Sequence, residues 1–324
     1  MNKVLKANIF VFILILLGSL GSICLSILSY FLFPWFSNLP YPLLLVINQI
    51  LFLIIPSIIY FIITKESIKK TLRLNWPGFT TILLSVSISI FIQPFMMFLS
   101  SITGLFFNND IAEVINKLNN YPTILMFLVI ALTPAICEEI TMRGIFLSGY
   151  DNIDIKKAIL LNGLFFAMLH LNFQQFLYTF ALGALFAYIV RLTNSIIPSM
   201  VAHFTINGSQ FLMQKFITYI SQNTNQNTAN LIENVTFMDK LMGVVFIFVI
   251  ALFITPIAIG LIYTLRNIYK NKNLVNNNIT SLNMPSNEKV FNWPVWASIA
   301  LYISFMTFIL NLENITKFLK SLID

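Results

Sequence analysis

The segment Pro134-Ala-Ile-Cys-Glu138-Glu139-Ile-Thr-Met-Arg143 places two carboxylates and a guanidinium inside an apolar stretch. Two further apolar stretches hold a histidine each, Phe166-Ala-Met-Leu-His170 and His203-Phe-Thr-Ile-Asn207. The chain has 2 histidines, and both lie in this set. A carboxylate and an imidazole that share a water molecule form a general-base pair, its strength set by desolvation against nearby cations. A second histidine with an asparagine supplies donors suited to a developing oxyanion. That constellation fits hydrolysis of an amide bond by activated water. No serine or cysteine has the local sequence of an activated nucleophile, and the acidic neighbour of Cys137 disfavours a thiolate.

Spacing refines the chemistry. On a helix Glu139 and Arg143 share a face and can pair, whereas Glu138 is turned about 100° away and can point into the bundle. Phe166 with His170, and His203 with Asn207, share faces by the same rule. Pro134 removes a backbone hydrogen bond to the Ile130 carbonyl, and a kink or opening there would give water a route to Glu138. The bland alternatives are a buried ion-pair cluster that fixes packing and histidines that serve as interhelical hydrogen bonds.

The elements that must position these groups are membrane spans. Of the 324 residues 58% are hydrophobic and 10% charged, against about 25% charged in a soluble domain; the mean hydropathy is +0.84. From Ala7 to Thr64 there is no Asp, Glu, Lys or Arg. Spans of about 20 apolar residues are predicted at 8–33, 43–64, 80–106, 123–148, 156–171, 175–191, 195–217, 241–265 and 293–310, an all-α polytopic transmembrane bundle of eight to nine spans. The first is too long for a signal-peptide core and is read as retained.

The basic residues mark topology. Lys3 and Lys6, the loop 65–79, Lys156 and Lys157, Arg191 and the loop 266–292 alternate with loops poor in lysine and arginine. This pattern puts the N-terminus in the cytoplasm and explains the net charge of +7 without nucleic acid. Cys24 and Cys137 sit in apolar stretches, where each is expected to be small, buried and inert. The tail from Asn311 reads as a short amphipathic interfacial helix. Three regions follow: a three-span region at 1–119, a catalytic bundle at 120–217, and a polar loop, one or two spans and a tail at 218–324.

The three motifs together resemble the CAAX prenyl protease type II family, also called the CPBP or Abi family of intramembrane glutamic endopeptidases. Its pattern is matched by Glu138-Glu139-x-x-x-Arg143, Phe166-x-x-x-His170 and His203-x-x-x-Asn207, within roughly residues 120–215. At about 1.5 Å per residue, Glu138, His170 and His203 lie roughly 15, 20 and 12 Å from the cytoplasmic side, compatible with one site. The resemblance implies that Glu138 and His170 activate water, that His203 and Asn207 hold the oxyanion, and that Glu139, Arg143 and Phe166 support them. It implies a metal-free mechanism with no cofactor; zinc held by Glu138, His170 and His203 is the minor alternative, leaving an open coordination position. The partners expected are the bilayer and a membrane protein or peptide substrate. Bacterial relatives are linked to peptide processing and bacteriocin immunity, and the Asn-, Ile- and Lys-rich composition suggests a bacterial plasma membrane. A proton-coupled transporter and a non-catalytic scaffold or immunity protein of the same fold are the competing readings.

Overall fold

The computed structural model describes residues 2–107, 121–223, 236–271 and 288–321, and among them all regular structure is helical. Nine long helices occur there. They are α1 (Lys3–Phe31), α2 (Tyr41–Thr64), α3 (Phe79–Thr103), α4 (Thr123–Phe146), α5 (Ile155–Leu169), α6 (Phe176–Thr193), α7 (Ile197–Asn223), α8 (Phe237–Asn271) and α9 (Trp293–Ser321). Local sequence sets their ends. The Asn2 side chain caps α1 by accepting from the N–H groups of Val4 and Leu5, and Asp154 caps α5 through Lys156 and Lys157, satisfying donors that a helix start leaves unpaired. Helices α2 and α6 stop at Lys65 and Asn194, both in the left-handed region.

Among the described residues seven helices are long and apolar enough to cross a membrane, and the chain is an integral membrane protein. The two expected spans that miss this measure are α5 and α7. Helix α5 has 15 residues, and α7 is diluted by Ser199, His203, Asn207, Ser209, Gln210 and Gln214. They are the helices that carry the two histidines. Two other expectations change. The tail does not start a separate helix at Asn311, because α9 runs unbroken to Ser321. Cys137 is buried as expected, whereas Cys24 is exposed on the outer surface of the bundle. The polar loops expected around 107–122, 221–230 and 271–288 lie largely outside the described residues.

Helices α4 to α7 form the centre. Helix α4 packs on α7, α5 crosses α6, and α3 lies along both α7 and α8, while α9 covers α1. The α5–α6 crossing depends on two glycines. A Cβ on Gly163 would stand 2.6 Å from the Phe180 carbonyl oxygen, and one on Gly183 would stand 2.8 Å from the Gly163 Cα. Small residues let membrane helices approach this closely. Polar ties fix the rest. The Tyr150 hydroxyl donates to Asn8 Oδ1 at 2.5 Å, and Asn8 Nδ2 donates to Asn292 Oδ1 at 2.9 Å, which joins α1 to the start of α9. Arg73 donates to the Arg143 carbonyl at 2.9 Å and pairs with Asp151, holding the loop after α2 against α4.

Four π-helical segments interrupt the long helices, at Leu17–Gly21, Ile50–Ile54, Leu128–Leu132 and Ile140–Phe146. Each contributes to the wall of one cavity of about 490 Å³, through Gly18, Phe52 and Leu53, Val129 and Ile130, and Thr141 and Met142. A π turn inserts an extra residue, rotates the face that follows and recurs at functional sites. Pro56 and Pro134 sit just beyond the second and third of these segments, where each lacks the N–H that a regular helix would offer to the preceding turn.

Candidate active site

Glu138 and Glu139 occupy the short α-helical stretch of α4 between its two π segments, so they are neighbours with different surroundings. Glu139 is fully buried. Its Oε1 pairs with Arg143 Nη1 at 3.1 Å and lies 2.9 Å from His203 Nδ1. Glu138 faces the cavities instead. Its Oε1 accepts from Gln49 Nε2 on α2 at 3.2 Å, and its Oε2 lies 3.9 Å from His203 Nε2. His203 therefore spans both glutamates, one at each ring nitrogen.

The Arg143 guanidinium is fully buried. It also donates to the Gly183 carbonyl at 3.3 Å and lies 4.1 Å above the centre of the Phe166 ring and 5.3 Å from that of Phe186. Such faces attract a cation most strongly when it is desolvated. Gly183 thus serves twice, by its missing side chain at the crossing and by its carbonyl at the cation. Asn162, also fully buried, donates to the Met142 carbonyl at 2.8 Å and pins the second π segment of α4 to α5.

His170 caps α5, and its Nδ1 lies 2.8 Å from the Phe166 carbonyl oxygen. A carbonyl only accepts, so Nδ1 carries the hydrogen and the neutral ring keeps its lone pair on Nε2. The next residue, Leu171, has φ of +47°, a conformation costly for a side chain branched beyond Cβ. Tautomer logic also fixes His203. A carboxylate beside a guanidinium accepts, so Nδ1 of His203 donates to Glu139, and Nε2 holds a second hydrogen only when the ring is an imidazolium.

Asn207 Nδ2 donates to the Ile130 carbonyl at 3.3 Å. This is the carbonyl whose helical donor Pro134 removes, and α7 supplies a donor in its place. Glu138, His170, His203 and Asn207 line one cavity of about 240 Å³ between α4, α5, α6 and α7. Glu138, His170 and Phe166 also border the larger, mostly apolar cavity beside α1 and α2. The carboxylate and His170 thus stand in the partition between a strongly apolar chamber and a more polar one. Among the described residues no group of three or more His, Cys, Asp and Glu has the geometry to hold a metal ion.

Residues 120–209 match the model of a family described as type II CAAX prenyl endopeptidase Rce1-like. Over this segment the chain is similar to that Rce1-like family. The segment spans α4, α5, α6 and the first half of α7, and contains each of the motif residues named above. The match agrees with the resemblance drawn from the three motifs, and the family is one of proteases. No curated protein matches the chain, and no solved structure does.

Two contributors were not anticipated. Gln49 reaches Glu138 from outside the Rce1-like segment, and Asn162 braces it from within. For Gln49 a signal existed, since Asn48-Gln49 is an amide pair in the uncharged run from Ala7 to Thr64. For Asn162 and the π segments nothing in residue type or spacing stood out.

Proposed function

We propose that the protein is an intramembrane endopeptidase that hydrolyses a peptide bond of a membrane protein or peptide with water activated by Glu138 and His170. Glu138 Oε2 takes one proton of the water while the His170 Nε2 lone pair accepts a hydrogen bond from the other, as the water oxygen bonds to the carbonyl carbon. The proton on Glu138 then passes to the amide nitrogen as the C–N bond breaks and the amine leaves. His203 and Asn207 donate to the oxygen that becomes negative. His203 does so as an imidazolium, with Nδ1 held by Glu139. Counting charge, two carboxylates and one guanidinium leave a net negative charge that a proton on His203 cancels. A neutral cluster suits a water-poor interior. Arg143 then holds Glu139, which orients His203, and Phe166 holds both Arg143 and His170.

What supports this reading above all is that the four groups line one cavity within the segment that matches the endopeptidase family. No step requires a metal. The charge pattern of the loops supports an N-terminus in the cytoplasm, and the Asn-, Ile- and Lys-rich composition supports a bacterial plasma membrane; one-sided labelling of a cysteine introduced at Lys3 checks the orientation.

The test is Glu138→Gln, which keeps the shape and the contact with Gln49 but removes the base. Membrane peptides of cells producing the parent are compared by mass spectrometry with those of cells producing the variant. At least one intact peptide should accumulate with Glu138→Gln and appear cut with the parent, in purified protein as well as in cells. Equal cutting by purified parent and variant sinks the assignment. Proton-driven uptake into vesicles without peptide cutting would point to transport instead.

A further inference from the structure

We propose that Gln49 is a positioning residue of the same site, whose carboxamide links Glu138 to a backbone N–H of the bound substrate. This inference rests on the endopeptidase reading and extends it to a helix outside the Rce1-like segment.

The Gln49 carboxamide has a defined direction. Glu138 Oε1 lies 3.2 Å from Gln49 Nε2. A carboxylate accepts only, so the Gln49 NH2 faces it and Oε1 is turned the other way. That oxygen is buried and, among the described residues, has no hydrogen-bond partner; Glu138 Oε2 is in the same condition. Both residues border the apolar cavity of about 490 Å³. Buried acceptors are rarely left unmatched, and each one that is calls for an explanation.

The two orphans differ in what they suit. Glu138 Oε2, facing His203 at 3.9 Å, is placed for water. Gln49 Oε1 borders the apolar chamber, where an apolar peptide would lie. A backbone N–H is the donor such a chain always carries, whatever its side chains. A carboxamide that only had to satisfy Glu138 would not need a second, unmatched acceptor, because an indole N–H does the same with none to spare. Gln49 also sits at the last turn before the π segment Ile50–Ile54, which fixes its angle to the cavity.

The experiment uses the peptide that accumulates with Glu138→Gln, made with a fluorophore and a quencher, and a series in which one backbone amide at a time is replaced by an ester. An ester lacks the N–H and keeps the side chains. The purified full-length parent should cut one member of the series about tenfold less efficiently than its all-amide counterpart, mainly through KM. Gln49→Met, similar in length and without hydrogen bonds, should lose about 10- to 100-fold in kcat/KM on the all-amide peptide. It should show no further loss at that ester, and Gln49→Asn should not restore it, being one methylene short.

If every ester acts equally on the parent and on Gln49→Met, the inference is overturned while the protease reading stands. The same holds if Gln49→Met lowers thermal stability but leaves kcat/KM unchanged. If no peptide accumulates, or Glu138→Gln cuts like the parent, both readings fall together.

Discussion

Helices α6 and α8 are both apolar enough to span a bilayer, yet 56% of α6 is buried inside the protein against 11% of the apolar stretch of α8. The difference separates two ways of living in a membrane. Helix α8 satisfies its surroundings with side chains alone and turns most of them outward, as Phe246, Leu252, Phe253 and Ile259 do. Helices α4 to α7 surround one another, so they can hold Glu139, Arg143 and His203 where lipid would reject them. Protein replaces water there, with π faces, carbonyls and opposite charges as the solvent. The flanking helices are an apolar collar; the centre is a polar core within it.

The sharpest way to break this contrast is to remove one charge from the core. Arg143→Met leaves Glu139 buried without its cation, and such a loss costs about 3–5 kcal/mol. The double variant Glu139→Gln with Arg143→Met should be clearly more stable than Arg143→Met alone, because no charge is then left over. At the edge, Lys6 lies 3.6 Å from Glu66 with both side chains partly exposed, and Lys6→Met should cost less than about 1 kcal/mol. Denaturant unfolding in detergent, followed by tryptophan fluorescence, orders the three. If the double variant unfolds as readily as the single one, Arg143 acts by packing and the core is not organised by charge.

Glycines give the same contrast in steric form. A methyl on Gly163 meets the backbone oxygen of Phe180 at 2.6 Å and the Ala184 nitrogen at 3.1 Å. Backbone cannot step aside as a side chain can, so Gly163→Ala should cost about 1–3 kcal/mol by overpacking. It should also lower activity, since the adjoining Gly183 carbonyl holds Arg143. Gly243 and Gly260 on α8 have nothing within 4 Å of the same methyl. There alanine should stabilise the helix by roughly 0.5 kcal/mol each. Thermal unfolding of the three single variants tests the opposite signs, and a loss at Gly243 equal to that at Gly163 would mean that α8 is packed rather than peripheral.

These contrasts explain which parts of the molecule were legible in the sequence. The spans were, because a run without charge from Ala7 to Thr64 has few other interpretations. The Glu139–Arg143 pair was, because a spacing of four on a helix fixes who meets whom. Pro134 pointed to a freed carbonyl at Ile130, yet not to Asn207 as its partner, because that contact joins helices far apart in sequence. The partner of Glu138 was hidden for the same reason: Gln49 is 89 positions away. The π segments were hidden for another. They arise where packing of several helices around one cavity rewards an extra residue per turn, and no residue type marks them. Periodicity reports what a helix does by itself, and the site is made of what helices do to one another.

Leu171 offers the smallest test, and it probes how tightly the core holds its chemistry. Its φ of +47° costs a leucine roughly 1 kcal/mol, a cost that glycine escapes. Leu171→Gly recovers it but gives back about 0.5–1 kcal/mol of chain entropy on folding and loses a side chain that packs in the core and borders the apolar cavity. The two backbone effects nearly cancel, so the unfolding midpoint should fall only by what the partly buried side chain contributes. Activity should not be spared in the same way. His170 precedes Leu171, and its ring is fixed by a single hydrogen bond to the Phe166 carbonyl together with the turn that Leu171 closes. A glycine there loosens the turn, and kcat should fall several-fold with KM little changed. Should kcat stay at the parent value, the strained turn is not what holds His170 in place, and the rigidity of the core stops short of that imidazole.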